Sequence, residues 1–148
     1  MKRTTVRRID ILEEADLSIA VVSVQTNRRL QEFFSAVEVA GIATVASELG
    51  RNILKYGGGR GYLLVSWIED PRLGTRAVEI KAVDYGPGFE DVEAALTEHH
   101  STGGTLGLGL PGAARIMDSL EIENQPSHGA VVTTRKWAKS NAKDHRNR

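Results

Sequence analysis

A chain of 148 residues with 41% apolar residues can bury one hydrophobic core and is too apolar to be disordered. It has no cysteine, which excludes disulfides, thiolate zinc sites, iron–sulfur ligation and cysteine nucleophiles, and no apolar run approaches the roughly 18 residues of a membrane span. The formal charge of zero is uneven: residues 135–148 carry six Lys or Arg against one Asp, which leaves residues 1–134 at −5, a sign that argues against a nucleic-acid surface.

The start, MKRTTVRRIDILEE, is basic, but no apolar stretch follows it as an export leader would require, so a cytoplasmic location is expected. Val6–Leu12 alternates weakly and predicts an edge strand. From Asp16 to Glu32, Leu17, Ala20, Val21, Val24 and Leu30 fall at helical spacing, interrupted by Asn27 and Gln31, with Asp16 as the expected N-cap. Ser35 followed by Glu38 reads as a capping box. It opens a long helix through Val39, Ile42, Ala43, Ala46, Leu49 and Ile53 to Tyr56, which Gly57-Gly58-Gly59 ends.

Tyr62–Glu69 and Arg76–Val83 predict two strands, and the turn Asp70-Pro71-Arg72-Leu73-Gly74 makes them an antiparallel hairpin. Val78, Ile80 and Ala82 alternate with Glu79 and Lys81. One face of that strand is therefore expected against helices and the other in water. Val92–Leu96 is a short helix or turn. Leu108–Met117 is a helix that opens inside a glycine-rich stretch. Leu120–Glu123 and Ala130–Trp137 are closing strands around the turn Asn124–Gly129. Antiparallel strands with grouped helices describe an α+β two-layer sandwich over residues 1–137. Residues 138–148 are read as a basic flexible tail, or else as an arm that docks a partner.

Three segments carry the chemistry. Glu48 and Asn52 stand four apart, hence on one helix face, beside the buried Leu49 and Ile53. A carboxamide oxygen can ligate Mg²⁺, and a carboxylate can take a proton or orient a nucleophile. Lys55 adds a cation within one turn, placed to neutralise a phosphate. Asp84 ends a strand in Asp84-Tyr85-Gly86-Pro87-Gly88. There a carboxylate can accept a hydrogen bond from an exocyclic amine such as adenine's, although a plain β-turn satisfies the same residues. In the segment STGGTLGLGLPG, residues 101–112, glycines at 103, 104, 107, 109 and 112 lead into a helix whose free N–H groups form an anion site. Pro111 suits its first turn, and Ser101 and Thr102 add hydroxyl donors. The segment lacks the Gly-Lys-Ser/Thr of a P-loop, and no obvious strand precedes it as in a Rossmann unit.

In this order the three segments resemble the GHKL ATPase family, which includes the ATPase domains of histidine kinases, type II topoisomerases and Hsp90, and the anti-sigma serine kinases. The likeness covers about residues 6–137. ASELGRNILKY is similar to the N box of that family, DYGPG to its first glycine box and GGTLGLGLPG to its second. SELGRN and AARIMD resemble the RsbT-type stressosome serine kinases and anti-sigma regulatory factors in particular. The resemblance implies a Bergerat fold, a mixed, mostly antiparallel sheet with helices on one face. It implies ATP or ADP and Mg²⁺ as ligands, with Glu48 the catalytic carboxylate and Asn52 the metal ligand. Asp84 would hold the adenine amine, and Gly86 and Gly88 would shape the base pocket. Leu106, Gly107, Leu108 and Gly109 would lie along the phosphates, with Gly104 on a lid.

The implied activity is a bacterial protein serine kinase that phosphorylates a STAS-domain regulator, with a downstream phosphatase or sigma-pathway regulator as a further partner. A chain of this length is expected to lack the phosphoacceptor module of a histidine kinase and the transducer domain of a gyrase-type ATPase. Two other readings stay open: a non-catalytic nucleotide-binding module that sequesters a partner, and a slow stand-alone ATPase. Glu48 favours catalysis, because a pure binder does not need a carboxylate there. His99 and His100 on the lid approach are surface residues, phosphate contacts or part of a partner surface. Arg28 and Arg29 are the other candidate partner face.

Overall fold

The computed structural model describes residues 1–97, 109–126 and 129–139. The elements run β1 (Lys2–Ile11), α1 (Ala15–Gln25), α2 (Arg28–Phe33), α3 (Ala36–Tyr56), β2 (Gly61–Asp70), β3 (Thr75–Asp84), α4 (Val92–Ala95), α5 (Gly109–Ile116), β4 (Ser119–Asn124) and β5 (Ala130–Trp137). The five strands form one sheet in the order β1-β2-β3-β5-β4. All four pairings are antiparallel, not mixed. The reason is the last hairpin: β3 and β4 run in the same direction, but β5 inserts between them. The architecture is the α+β two-layer sandwich of the Bergerat type, and β1 lies at an edge as expected.

The core lies between the sheet and α3. Ile9, Leu63, Ala82 and Val132 share one row across four strands, and Val65 and Ile80 the next. All are buried together with Val39, Ile42, Ala46, Leu49 and Ile53 of α3. The capping box that opens α3 is complete: Ser35 Oγ accepts from Glu38 N at 3.1 Å, and Glu38 Oε1 accepts from Ser35 N at 2.9 Å. The helix closes at Gly57, whose N–H donates to Asn52 O and Ile53 O.

Two local expectations fail. The single helix predicted from Asp16 to Glu32 is two. The side chain of Asn27 accepts from Leu30 N at 3.0 Å, so it caps a new helix instead of continuing the old one. Asp16 is not an N-cap. It sits inside the first turn of α1, and its Oδ2 reaches back to accept from Leu12 N and Glu13 N at 2.8 and 3.0 Å.

The solvated face predicted for β3 is also corrected. Glu79 is 2% exposed. Arg3 donates to both its oxygens at 3.2 Å, and Arg135 Nε donates to Oε2 at 2.8 Å. Burial raises the pKa of Glu79, but the hydrogen bonds and charges of Arg135 and Arg3 outweigh it and hold the carboxyl below its ordinary 4.5. Arg3 spans β2 to reach β3, so the trio ties the edge strand to the sheet's centre. At Glu79, therefore, the strand's outer face is covered by two arginines and not open to water.

Candidate functional site

The C-terminal ends of α3 and β3 and the start of β5 meet at a pocket. Leu49, Asn52, Ile53 and Tyr56 line it from α3, Ala82 and Asp84 from β3, Gly88 and Phe89 from the loop that follows, and Val132 from β5. The walls are mostly apolar, with one carboxamide and one carboxylate between them, as a pocket for a flat polar heterocycle requires.

Asp84 is fixed by its backbone surroundings. Its Oδ1 accepts from Gly86 N at 3.0 Å and Ala130 N at 3.1 Å. The end of α3 presses on its other side: a Cβ on Gly57 would lie 2.9 Å from Oδ2. Gly86 packs on the Gly57–Gly58 backbone, where a side chain has no room, and Gly88 takes φ +83°. These are the physical reasons for glycine at both positions. The same loop is clamped by Asn124, which accepts from Phe89 N at 2.8 Å and donates to Phe89 O at 2.7 Å. The sequence reading missed Asn124. Its only signal was an amide residue at a strand end, a pattern common to many turns.

Glu48 lies one turn before Asn52 on α3 and is 6% exposed. Its Oε2 accepts from the backbone N–H of Gly109, the first residue of α5, at 3.2 Å. The N box and the later part of the second glycine box are therefore in contact across 61 residues of sequence. Glu48 Oε1 accepts from Arg51 Nη1 at 2.8 Å. The sequence reading passed over Arg51, although its i,i+3 spacing from Glu48 was the signal for it. Lys55 stands exposed in the last turn of α3, outside the residues that line the pocket.

So the fold brings together Glu48, Asn52, Asp84, Gly86, Gly88 and Gly109. Ser101, Thr102, Gly104, Leu106, Gly107 and Leu108, with His99 and His100, lie outside the described residues. Arg29, one of the candidate partner residues, lies elsewhere than the pocket. It packs over Trp67 and pairs with Glu69 at 3.9 Å. Glu69 is eight residues along β2 from Gly61, the partner of Asp84, which is about 26 Å at a strand's usual rise.

Among the described residues no three His, Asp or Glu side chains gather as a metal cluster. Asn52 supplies one oxygen donor in the pocket. That set fits Mg²⁺, which keeps most of its waters and takes one or two protein ligands plus phosphate oxygens. Among the same residues no helix is long and apolar enough to cross a membrane.

The profile of the histidine kinase-like ATPase domain matches residues 13–136. A serine/threonine-protein kinase, RsbT of Bacillus subtilis (strain 168), is 33% identical over 129 residues, covering 87% of this chain and 94% of that protein.

Proposed function

We propose, from the premise that this chain belongs to the histidine kinase-like ATPase family, that it is an ATP-dependent protein serine kinase whose acceptor is a STAS-domain protein in a stress or sigma-factor pathway. The observation that carries the catalytic part is Glu48: a buried carboxylate one turn from Asn52, touching the N-terminus of α5. Asp84 and the apolar walls would take the adenine. The N–H groups at the start of α5, the Gly109 N–H that Glu48 holds among them, would face the phosphates. Mg²⁺, bound through Asn52 and phosphate oxygens, would neutralise the charge that develops on them.

Glu48 would accept the proton of the acceptor's seryl hydroxyl. The seryl oxygen then bonds to the γ-phosphorus, the bond from that phosphorus to the bridging oxygen breaks, and ADP leaves with the electron pair. The direct test is incubation with Mg²⁺ and γ-labelled ATP together with STAS-domain proteins from the same genome. Label is expected on a serine of one of them. Label on none, with ATP still bound, would leave a binding module.

The base assignment has its own test. Calorimetry should find ATP and ADP bound at least about tenfold more tightly than GTP, the scale of one buried polar group left unpaired. Guanine presents a carbonyl where adenine presents an amine, and two oxygens would then oppose each other at Asp84. Equal affinity for GTP would remove Asp84 from base recognition.

A further inference from the structure

The two oxygens of Glu48 are held by unlike partners. Oε1 is bound to Arg51, three residues along the same face of one continuous helix. Residues on one packed helix keep their relation, so this contact moves with α3 as a unit. Oε2 is bound to the Gly109 N–H, which belongs to a different element and sits at a residue with φ +64°. That N–H is also one of the donors that the start of α5 would offer to a phosphate. In this structure Glu48 is the anion held at that N–H. The Glu48 side chain is 8% exposed and that of Arg51 34%, so Arg51 shields the carboxylate from one side while remaining partly hydrated itself.

We propose that Arg51 is the positioning residue for Glu48. It pins Oε1, so that only Oε2 changes partner, from the Gly109 N–H in the resting protein to the acceptor hydroxyl once phosphate takes that N–H. Without the pin the carboxylate would follow Gly109 or swing free when nucleotide arrives, and its lone pair would not face the hydroxyl. This rests on the kinase reading for its second position, but not for its first.

The experiment is a cycle of Arg51→Met, Glu48→Gln and the double variant, with Arg51→Lys alongside. Transfer kinetics, ATP and ADP affinity, thermal unfolding and the Gly109 amide resonance are all measured. Arg51→Met should lower kcat about tenfold or more, as a misaligned catalytic group does, with ATP affinity within about threefold of the parent. Arg51→Lys should recover part of the loss. In the Glu48→Gln background Arg51→Met should cost nothing further, because the two act through one group. An equal loss in that background would overturn the proposal. So would a loss expressed in ATP affinity alone, which would make Arg51 a phosphate ligand. The amide resonance separates the proposal from the kinase reading. In the nucleotide-free protein Arg51→Met should shift Gly109, whether or not any acceptor is ever phosphorylated. A resonance that stays in place would overturn the pin.

Discussion

Glu48→Gln should transfer phosphate about 10²-fold or more slowly than the parent, the usual scale of a general base, while ATP affinity stays within a few-fold. The amide has nearly the shape of the carboxylate, and one oxygen can still accept from Arg51 or Gly109. It cannot take a proton from a hydroxyl. Single-turnover transfer to the acceptor protein and calorimetry with ATP separate the two quantities. Asn52→Ala should behave differently, disturbing the Mg²⁺ dependence of binding before anything else, because its carboxamide oxygen is the metal's protein ligand in this reading. If Glu48→Gln transfers phosphate at the parent rate, Glu48 is not the catalytic carboxylate, and a partner-sequestering module becomes the better account.

The second large effect lies outside the pocket lining. Arg3→Met with Arg135→Met should destabilise the fold by about 3–5 kcal/mol, because Glu79 would remain buried with no cation beside it. Against a usual total of about 5–15 kcal/mol that is a large fraction. Adding Glu79→Leu to the pair should restore most of the loss, since an apolar trio of similar volume needs no desolvation. Denaturant unfolding of the parent, the double and the triple variant reads this directly. Equal stabilities for parent and double would mean that the trio is no more than a surface network.

The same residues set a pH dependence. The folded-state pKa of Glu79 lies below its ordinary 4.5, so its ionisation stabilises the fold above that value. The contribution is lost as pH falls from there through the lowered pKa. Acid unfolding of the triple variant should lack this component.

Much of the site was legible because its signals are local. A spacing of four on a helix puts Glu48 and Asn52 on one face whatever surrounds the helix. The Ser35–Glu38 box fixes where that helix starts, and Gly57 ends it next to the place where Asp84 must lie. The rest depended on partners distant in sequence. Nothing near Glu79 announces Arg3 or Arg135, so alternation alone put its carboxylate in water. Asn27 and Asp16 were misread for another reason: short polar side chains bond the nearest backbone N–H, which splits or anchors a helix without altering its apolar spacing.

The sequence by itself determined the class of this protein. Its helical and alternating periods, caps and glycine turns are local properties, and together they specify an α+β sandwich with a nucleotide motif in each of three segments. Only the tertiary structure decided how those segments meet. Asp84 is aimed by a hydrogen bond from Ala130, 46 residues on, and the loop after it is held by Asn124, 35 residues beyond Phe89. Glu48 finds its second partner at Gly109 because α5 packs against α3. Such contacts follow from chain topology and the burial that drives it, and no window of neighbouring residues contains them.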